Sequence, residues 1–260
     1  MSALSHAASD SATMLRRNLR HALRYPSLTL SVAGLPIIFL LLFVYVFGGA
    51  LGTGIGGSRA QYLDYLVPGI ILMTVASGSL MTAVAVSVDV TEGIIDRFRT
   101  MAISRASLLT GHVIGSLITT MFSTALVIGF ALALGFRPDA GPVEWIATIG
   151  VLLMVTFALT WLAVALGVFA KSPESASNLP LPLQLLPMIG SGFVPTGSMP
   201  AGLRWFAEYQ PFTPVIETLR GLLMGTPIGH SAVTSAAWCA GIALVGYVWA
   251  KTRFNRNRAR

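Results

Sequence analysis

In SVDVTEGIIDRFRTMAISRAS, residues 87–107, Asp89, Glu92, Asp96, Arg97 and Arg99 fall within eleven positions, yet only 10% of the 260 residues are charged. Long apolar runs flank the stretch on both sides. Each Asp, Lys or Arg at the centre of a membrane span costs roughly 2.5–3.5 kcal/mol on insertion scales. Five such groups sum to more than about 10 kcal/mol, so the stretch lies outside hydrocarbon and separates two spans.

The composition outside this stretch agrees. Hydrophobic residues make up 54% of the chain and the mean hydropathy is +0.74, whereas a soluble domain carries roughly 25% charged residues. Lipid is therefore the expected solvent. Segments of about 20 apolar residues are long enough to cross a hydrocarbon core of roughly 30 Å. Six qualify: 28–47, 66–88, 108–134, 145–169, 179–194 and 233–250. The fifth is short and carries Pro180, Pro182 and Pro187, so a kinked or partly broken span is expected there. The first exceeds the 7–15 apolar residues of a secretory signal and is read as a retained span.

Orientation follows from Lys and Arg. Arg16, Arg17, Arg20, Arg24, Arg97, Arg99, Arg105, Lys171, Lys251, Arg253, Arg256, Arg258 and Arg260 fall on one side, and Arg59, Arg137, Arg204 and Arg220 on the other. That asymmetry puts both termini in the cytoplasm. The net charge of +7 then belongs to a membrane surface, since no nucleic-acid motif accompanies it. Cys239 is the only cysteine, which excludes an intrachain disulfide and a cysteine metal cluster.

Three polar or mixed segments have a pattern of their own. Residues 13–25, TMLRRNLRHALRY, place Met14, Leu15, Leu19, Ala22 and Leu23 at helical spacing beside Arg16, Arg17, Arg20 and Arg24. An interfacial helix on the inner face fits this pattern, and a charged tail that only sets topology is the alternative. Within 87–107, Val90, Ile94, Phe98 and Met101 form one apolar stripe, with Glu92, Asp96 and Arg99 on other faces. A short amphipathic helix able to dock a partner fits, against an ordinary solvated turn. Ser104 can cap the helix that follows. The third segment, 195–229, lies outside by topology yet holds Leu203, Trp205, Phe206, Phe212, Val215, Ile216, Leu219 and Leu223. So much apolar surface does not stay in water. Pro200, Pro211 and Pro214 divide it into two short helices, neither long enough to span. A re-entrant outer hairpin follows, with Glu217 and Arg220 paired at i, i+3; an interfacial helix pair is the alternative.

Other signals are rejected. GTGIGG, residues 52–57, satisfies G-x-G-x-x-G literally but follows a membrane span, so it reads as a flexible turn. The lysines, Lys171 and Lys251, each follow alanine, so no phosphate-binding G-x-x-x-x-G-K-[ST] exists and no ATPase site is expected in this chain. His6, His21, His112 and His230 are scattered, and no metal site is expected. Ion-coupled carriers need carboxylates or histidines inside their spans, which are nearly absent here. A lipid-modifying membrane enzyme would need convergent His, Asp or Ser groups at one interface, and none is visible.

EGIIDRFRTMAISRAS resembles the cytoplasmic segment between the second and third spans of ABC type-2 exporter permeases, above all the daunorubicin-resistance, DrrB-like group. Ala102 stands where relatives often carry proline. FVPTGSMPAGLRWFAEYQPFTPVIETLRGLLMG, residues 193–225, resembles the same family's stretch between the last two spans. The resemblance implies an all-α polytopic fold with six transmembrane helices, forming a single permease domain over 1–260 in a bacterial inner membrane. Within it, 1–27 would be the cytoplasmic tail and interfacial helix, 28–250 the six spans and 251–260 a basic cytoplasmic tail. The resemblance also implies pairing with a second permease, identical or homologous, and docking of two copies of an ABC ATP-binding subunit that itself binds ATP and Mg. Glu92, Gly93, Asp96, Arg97, Arg99 and Arg105 would make the ATPase-coupling contacts, with AKSPESASN, residues 170–178, a secondary candidate. Pro195, Trp205, Phe206, Pro211, Pro214, Glu217 and Arg220 would form the outer re-entrant segment. Small residues in the spans (Gly78, Ser79, Ala83, Ala85, Gly115, Ser116) would line a pathway for a hydrophobic or amphipathic cargo, drug or lipid, moving outward. An ion-coupled secondary transporter and a membrane lipid-modifying enzyme are the alternatives.

Overall fold

A computed structural model describes residues 26–54, 57–92 and 105–256. Among the described residues all regular structure is helical. Its α-helices are α1 (Pro26–Leu41), α2 (Gly48–Gly54), α3 (Arg59–Thr91), α4 (Arg105–Ala133), α5 (Pro142–Phe169), α6 (Pro173–Asn178), α7 (Leu181–Ile189), α8 (Ala201–Tyr209), α9 (Phe212–Met224) and α10 (Ser231–Arg256). A π-helical turn, Leu42–Phe47, fuses α1 to α2, and a 3-10 turn, Thr196–Ser198, precedes α8.

Among the described residues, five stretches are long and apolar enough to cross a membrane: Val32–Gly54, Arg59–Thr91, Thr110–Ala133, Pro142–Phe169 and Ser231–Thr252. They correspond to the first four expected spans and the sixth. The first runs on to the end of α2, so Gly52, Thr53 and Gly54 continue a helix where a turn was expected. The second begins at Arg59 rather than Leu66. The cause is a capping box: Gln61 N donates to Ser58 Oγ, and Ser58 N donates to Gln61 Oε1 at 2.7 Å.

Helix α3 is the axis of the molecule. Its 33 residues extend about 50 Å at 1.5 Å each, well beyond the hydrocarbon core. Every residue from Leu66 to Ser79 is buried, and a helix enclosed on all sides sits at the centre of a bundle. Around it pack α1, α4, α5, α6, α7 and α9, while α10 lies against α5 and α9. Close backbone approaches in this packing need glycine. A Cβ on Gly69 would come within 2.7 Å of the Gly192 Cα, and one on Gly246 of α10 within 2.7 Å of the Trp161 carbonyl carbon. Gly78, Ser79, Ala83 and Gly115, expected along a pathway, are buried in helix contacts, and Ala85 is exposed.

The expected fifth span, 179–194, is not a helix of spanning length. The nine residues of α7 rise only about 14 Å. Pro180 stands at the N-cap of α7, where a missing N–H costs nothing, whereas Pro187 inside it removes a backbone N–H from the ladder. The broken segment nonetheless follows α3. Gln184 Nε2 donates to Ser77 Oγ at 2.8 Å, Tyr65 Oη to the Ser191 carbonyl at 2.8 Å, and Tyr62 Oη to the Phe193 carbonyl at 3.2 Å. Ser77 and Tyr62 are about 22 Å apart along α3. Because the Ser77 hydroxyl also donates to the Met73 carbonyl, it keeps a partner without Gln184. Gln184→Leu is therefore expected to lower unfolding stability in detergent by only about 0.6 kcal/mol, the average for polar contacts between membrane helices. A loss beyond about 2 kcal/mol would mean that the contact carries more than its geometry allows.

The connections sort to two ends of the bundle. Asp64 Oδ1 accepts from Arg137 N at 3.3 Å, and Asp139 N donates to the Leu223 carbonyl at 2.9 Å. These bonds gather the start of α3, the α4–α5 connection and the end of α9 at one end. At the other, Val86, Val113, Trp161, Val164, Val168 and Ala250 form a second apolar cluster. Of the described Lys and Arg, Arg59, Arg137, Arg204 and Arg220 belong to the first end, and Arg105, Lys171, Lys251, Arg253 and Arg256 to the second.

Candidate functional site

The end of α3 and the start of α4 bracket the charged stretch. Glu92 caps α3, its N–H donating to the Val88 carbonyl at 2.9 Å, and its side chain is exposed. Arg105 opens α4. Gly93, Asp96, Arg97, Arg99 and Ser104 lie outside the described residues, as do Arg16, Arg17, Arg20 and Arg24. Just inside the bracket, Asp89 Oδ2 meets His112 Nε2 at 2.9 Å, with both side chains nearly enclosed. The pair joins α3 to α4 less than one turn from Glu92. Sequence reasoning counted Asp89 with the exposed charge and His112 with the scattered histidines. His112 was placed near the start of the third span; the missed signal is that Asp89, on the last turn of α3, faces it across the hairpin.

The 170–178 stretch is an ordered, capped helix. Ser172 Oγ accepts from Ser175 N at 3.2 Å, and Ser175 Oγ accepts from Ser172 N at 3.1 Å. Ala176 is buried, and α6 packs on α3. Glu174 stays exposed on its first turn, where the Ser172 hydroxyl holds its carboxyl below the ordinary range.

At the opposite end, prolines shape the segment after α7. Pro195 precedes the 3-10 turn, Pro211 caps α9 and Pro214 sits in its first turn, where a missing N–H costs nothing. Gly225, at φ 67°, ends α9 in the left-handed region that favours glycine. Helix α9 is buried along Phe212, Val215, Ile216, Leu219 and Leu223. Helix α8 is different: only Ala207 is buried. Trp205 and Phe206 are exposed, and Trp205 stacks on Tyr209 with ring centroids 5.6 Å apart.

Arg220 is the centre of this outer cluster. Only 8% of it is exposed. Its Nη1 donates to Glu217 Oε1 at 2.8 Å, and its Nη2 donates to the Ser191 carbonyl at 2.7 Å and the Tyr65 carbonyl at 3.2 Å. The guanidinium also lies over the Tyr65 ring, 3.9 Å from its centroid. One planar cation thus fastens α9 both to α3 and to the turn after α7. Phe193, in that turn, receives the Phe43 ring edge-on at 4.8 Å, which brings in the π-helical turn of the first span. Glu217, Arg220, Pro211 and Pro214 are therefore brought together on one buried helix, while Trp205 and Phe206 remain on the exposed one.

An open apolar cleft lies beside this cluster between α5, α9 and α10, lined by Val155, Leu159, Phe212, Val215, Trp238 and Cys239. Among the described residues, no three His, Cys, Asp or Glu side chains gather as a metal site would require.

Residues 11–224 match the ABC-2 type transporter family. The chain is 29% identical over 222 residues to the daunorubicin resistance ABC transporter permease protein DrrB1 of Streptomyces coeruleorubidus, covering 85% of this chain and 77% of that one. It is 25% identical over 211 residues to the "probable doxorubicin resistance ABC transporter permease protein DrrC" of Mycobacterium tuberculosis, covering 81% and 75%. An ABC transporter G family member 20 of Dictyostelium discoideum is 24% identical over 203 residues, 75% of this chain but 26% of that much longer protein. With an all-helical bundle, five helices of spanning length and a family match over most of its length, this chain belongs to the ABC-2 type transporter family, as a membrane permease subunit of an ABC exporter.

Proposed function

We propose that this permease moves a hydrophobic or amphipathic cargo, an aromatic drug or a lipid, out of a bacterial cell across the inner membrane. A separate ATP-binding subunit supplies the energy and docks on the segment from Glu92 to Arg105. The chain works as one half of a pair. The observation that carries this reading is α3 itself. It is a single buried rod whose one end leads into the charged segment and whose other end is held by the Arg220 cluster. A push received at Glu92 would pass along one continuous helix to the outer segment. The drug names of the bacterial relatives support an amphipathic aromatic cargo.

Six crossings complete the picture, with α6, α7 and the turn to Phe193 climbing α3 as a fifth crossing made in pieces. Both termini then lie in the cytoplasm, in line with the distribution of basic residues. The segment 195–229 caps the outer end as a re-entrant hairpin, with α8 presenting Trp205 and Tyr209 to the interfacial layer. ATP and Mg bind to the partner subunit, and this chain hydrolyses nothing.

Reversing charge at Glu92 and Arg97 together tests the docking. The double variant is expected to lose co-purification of the ATP-binding subunit and ATP-driven doxorubicin uptake into everted vesicles. Should both survive, energy enters elsewhere. Transport that persists after ATP depletion would transfer the chain to the ion-coupled carriers.

A further inference from the structure

We infer that the Asp89–His112 pair is the positioning link through which movement of the 92–105 segment reaches the spans. The inference rests on the docking reading above. The two residues sit on the helices that the charged segment connects, at 2.9 Å from each other. Asp89 is 7% exposed within a helix of spanning length. A carboxylate at such a place is costly, and in membrane proteins such groups are paired and tied to function.

The surrounding packing shows what the pair does mechanically. A hairpin can splay when the segment that joins its legs is pushed, and the push is then lost. Here α3 and α4 touch through small or short side chains further up: Thr82 Oγ1 shares a hydrogen bond with Ser116 Oγ, and Gly78 abuts Thr120. Those contacts are near the middle of the helices. Asp89–His112 joins the two helices at the last turn of α3, beside Val86 and Val113 of the second apolar cluster. With this link made, α3 and α4 tilt as one body. Without it, the legs pivot about the Thr82–Ser116 contact. The pair is thus assigned a positioning role that acts through the helices.

The test uses the complex of permease and ATP-binding subunit in proteoliposomes, with doxorubicin as the transported probe and ATP hydrolysis measured in parallel. Asp89→Leu, His112→Leu and the double variant are compared. Each is expected to retain the ATP-binding subunit and continue hydrolysis, while doxorubicin moved per ATP falls by about fivefold or more, the lower end of ordinary coupling energies. The double variant is expected to do no worse than Asp89→Leu alone, because the shared link can be broken only once. Asp89→Asn, which still offers a hydrogen-bonding group to the imidazole, is expected to restore most of the ratio. If the leucine variants do not assemble, Asp89→Ala and His112→Ala carry the same comparison.

An unchanged transport ratio in the single variants would overturn the inference. So would losses that multiply in the double, since they would mean independent roles. Loss of the ATP-binding subunit from the Asp89 or His112 variants would also overturn it, by making the pair part of the docking surface. Failure of the docking reading registers separately, in the Glu92 and Arg97 reversal.

Discussion

Arg220→Met is expected to destabilise the permease by about 3 kcal/mol, through the loss of charge-assisted hydrogen bonds and a desolvated cation–π contact. The guanidinium is almost fully buried and divides its donors among Glu217, Ser191 and Tyr65. Arg220→Lys is expected to recover less than half of the loss. An ammonium keeps the charge but cannot fork between a carboxylate on one side and two carbonyls on the other. Glu217→Gln is expected to cost about 1 kcal/mol, because the Glu217 side chain is 40% exposed and Arg220 keeps both carbonyls. Thermal unfolding in detergent measures the order. If Glu217→Gln proves as damaging as Arg220→Met, the cluster is an ion pair with ornaments, and the carbonyl contacts are incidental.

The second large effect is at Gly69. A Cβ there would stand 2.7 Å from both the Cα and the carbonyl oxygen of Gly192. The obstacle is backbone on each side, so no side chain can rotate out of the way. Gly69→Ala is expected to cost about 1–3 kcal/mol by overpacking, and Gly69→Leu to prevent assembly of the turn after α7 on α3. Gly129→Ala on α4, which meets nothing within 4 Å, provides the contrast. It is expected to be neutral or stabilising by up to about 1 kcal/mol, because alanine is the better helix former. Equal behaviour of the two alanine variants in expression and melting temperature would refute the close approach.

Five spans could be read from the sequence because hydropathy over 20 or so residues is a sum, and single exceptions do not erase it. The early start of α3 escaped because it rests on Ser58 and Gln61, polar residues that lower the very signal used to find spans. The prolines of 180–187 announced a break correctly, but not that the pieces would stay laid along α3. That depends on Tyr62, Tyr65 and Ser77, which are distant in sequence. Arg220 was expected to pair with Glu217, three residues away. Its other partners are backbone carbonyls at Ser191 and Tyr65, and a carbonyl has no sequence signature. The Asp89–His112 pair escaped for a related reason. Two isolated ionisable residues mean little until the hairpin between them is closed.

The enclosure of α3 also limits how membrane subunits can meet. From Leu66 to Ser79 it offers no surface to anything beyond its own chain. Any seam between neighbouring copies must therefore be sewn from peripheral helices such as α1, α5 and α10, or the turn after α1, whose outward sides carry Ile38, Tyr45, Phe157 and Val248. Over that stretch the central rod can feel a neighbour only second-hand.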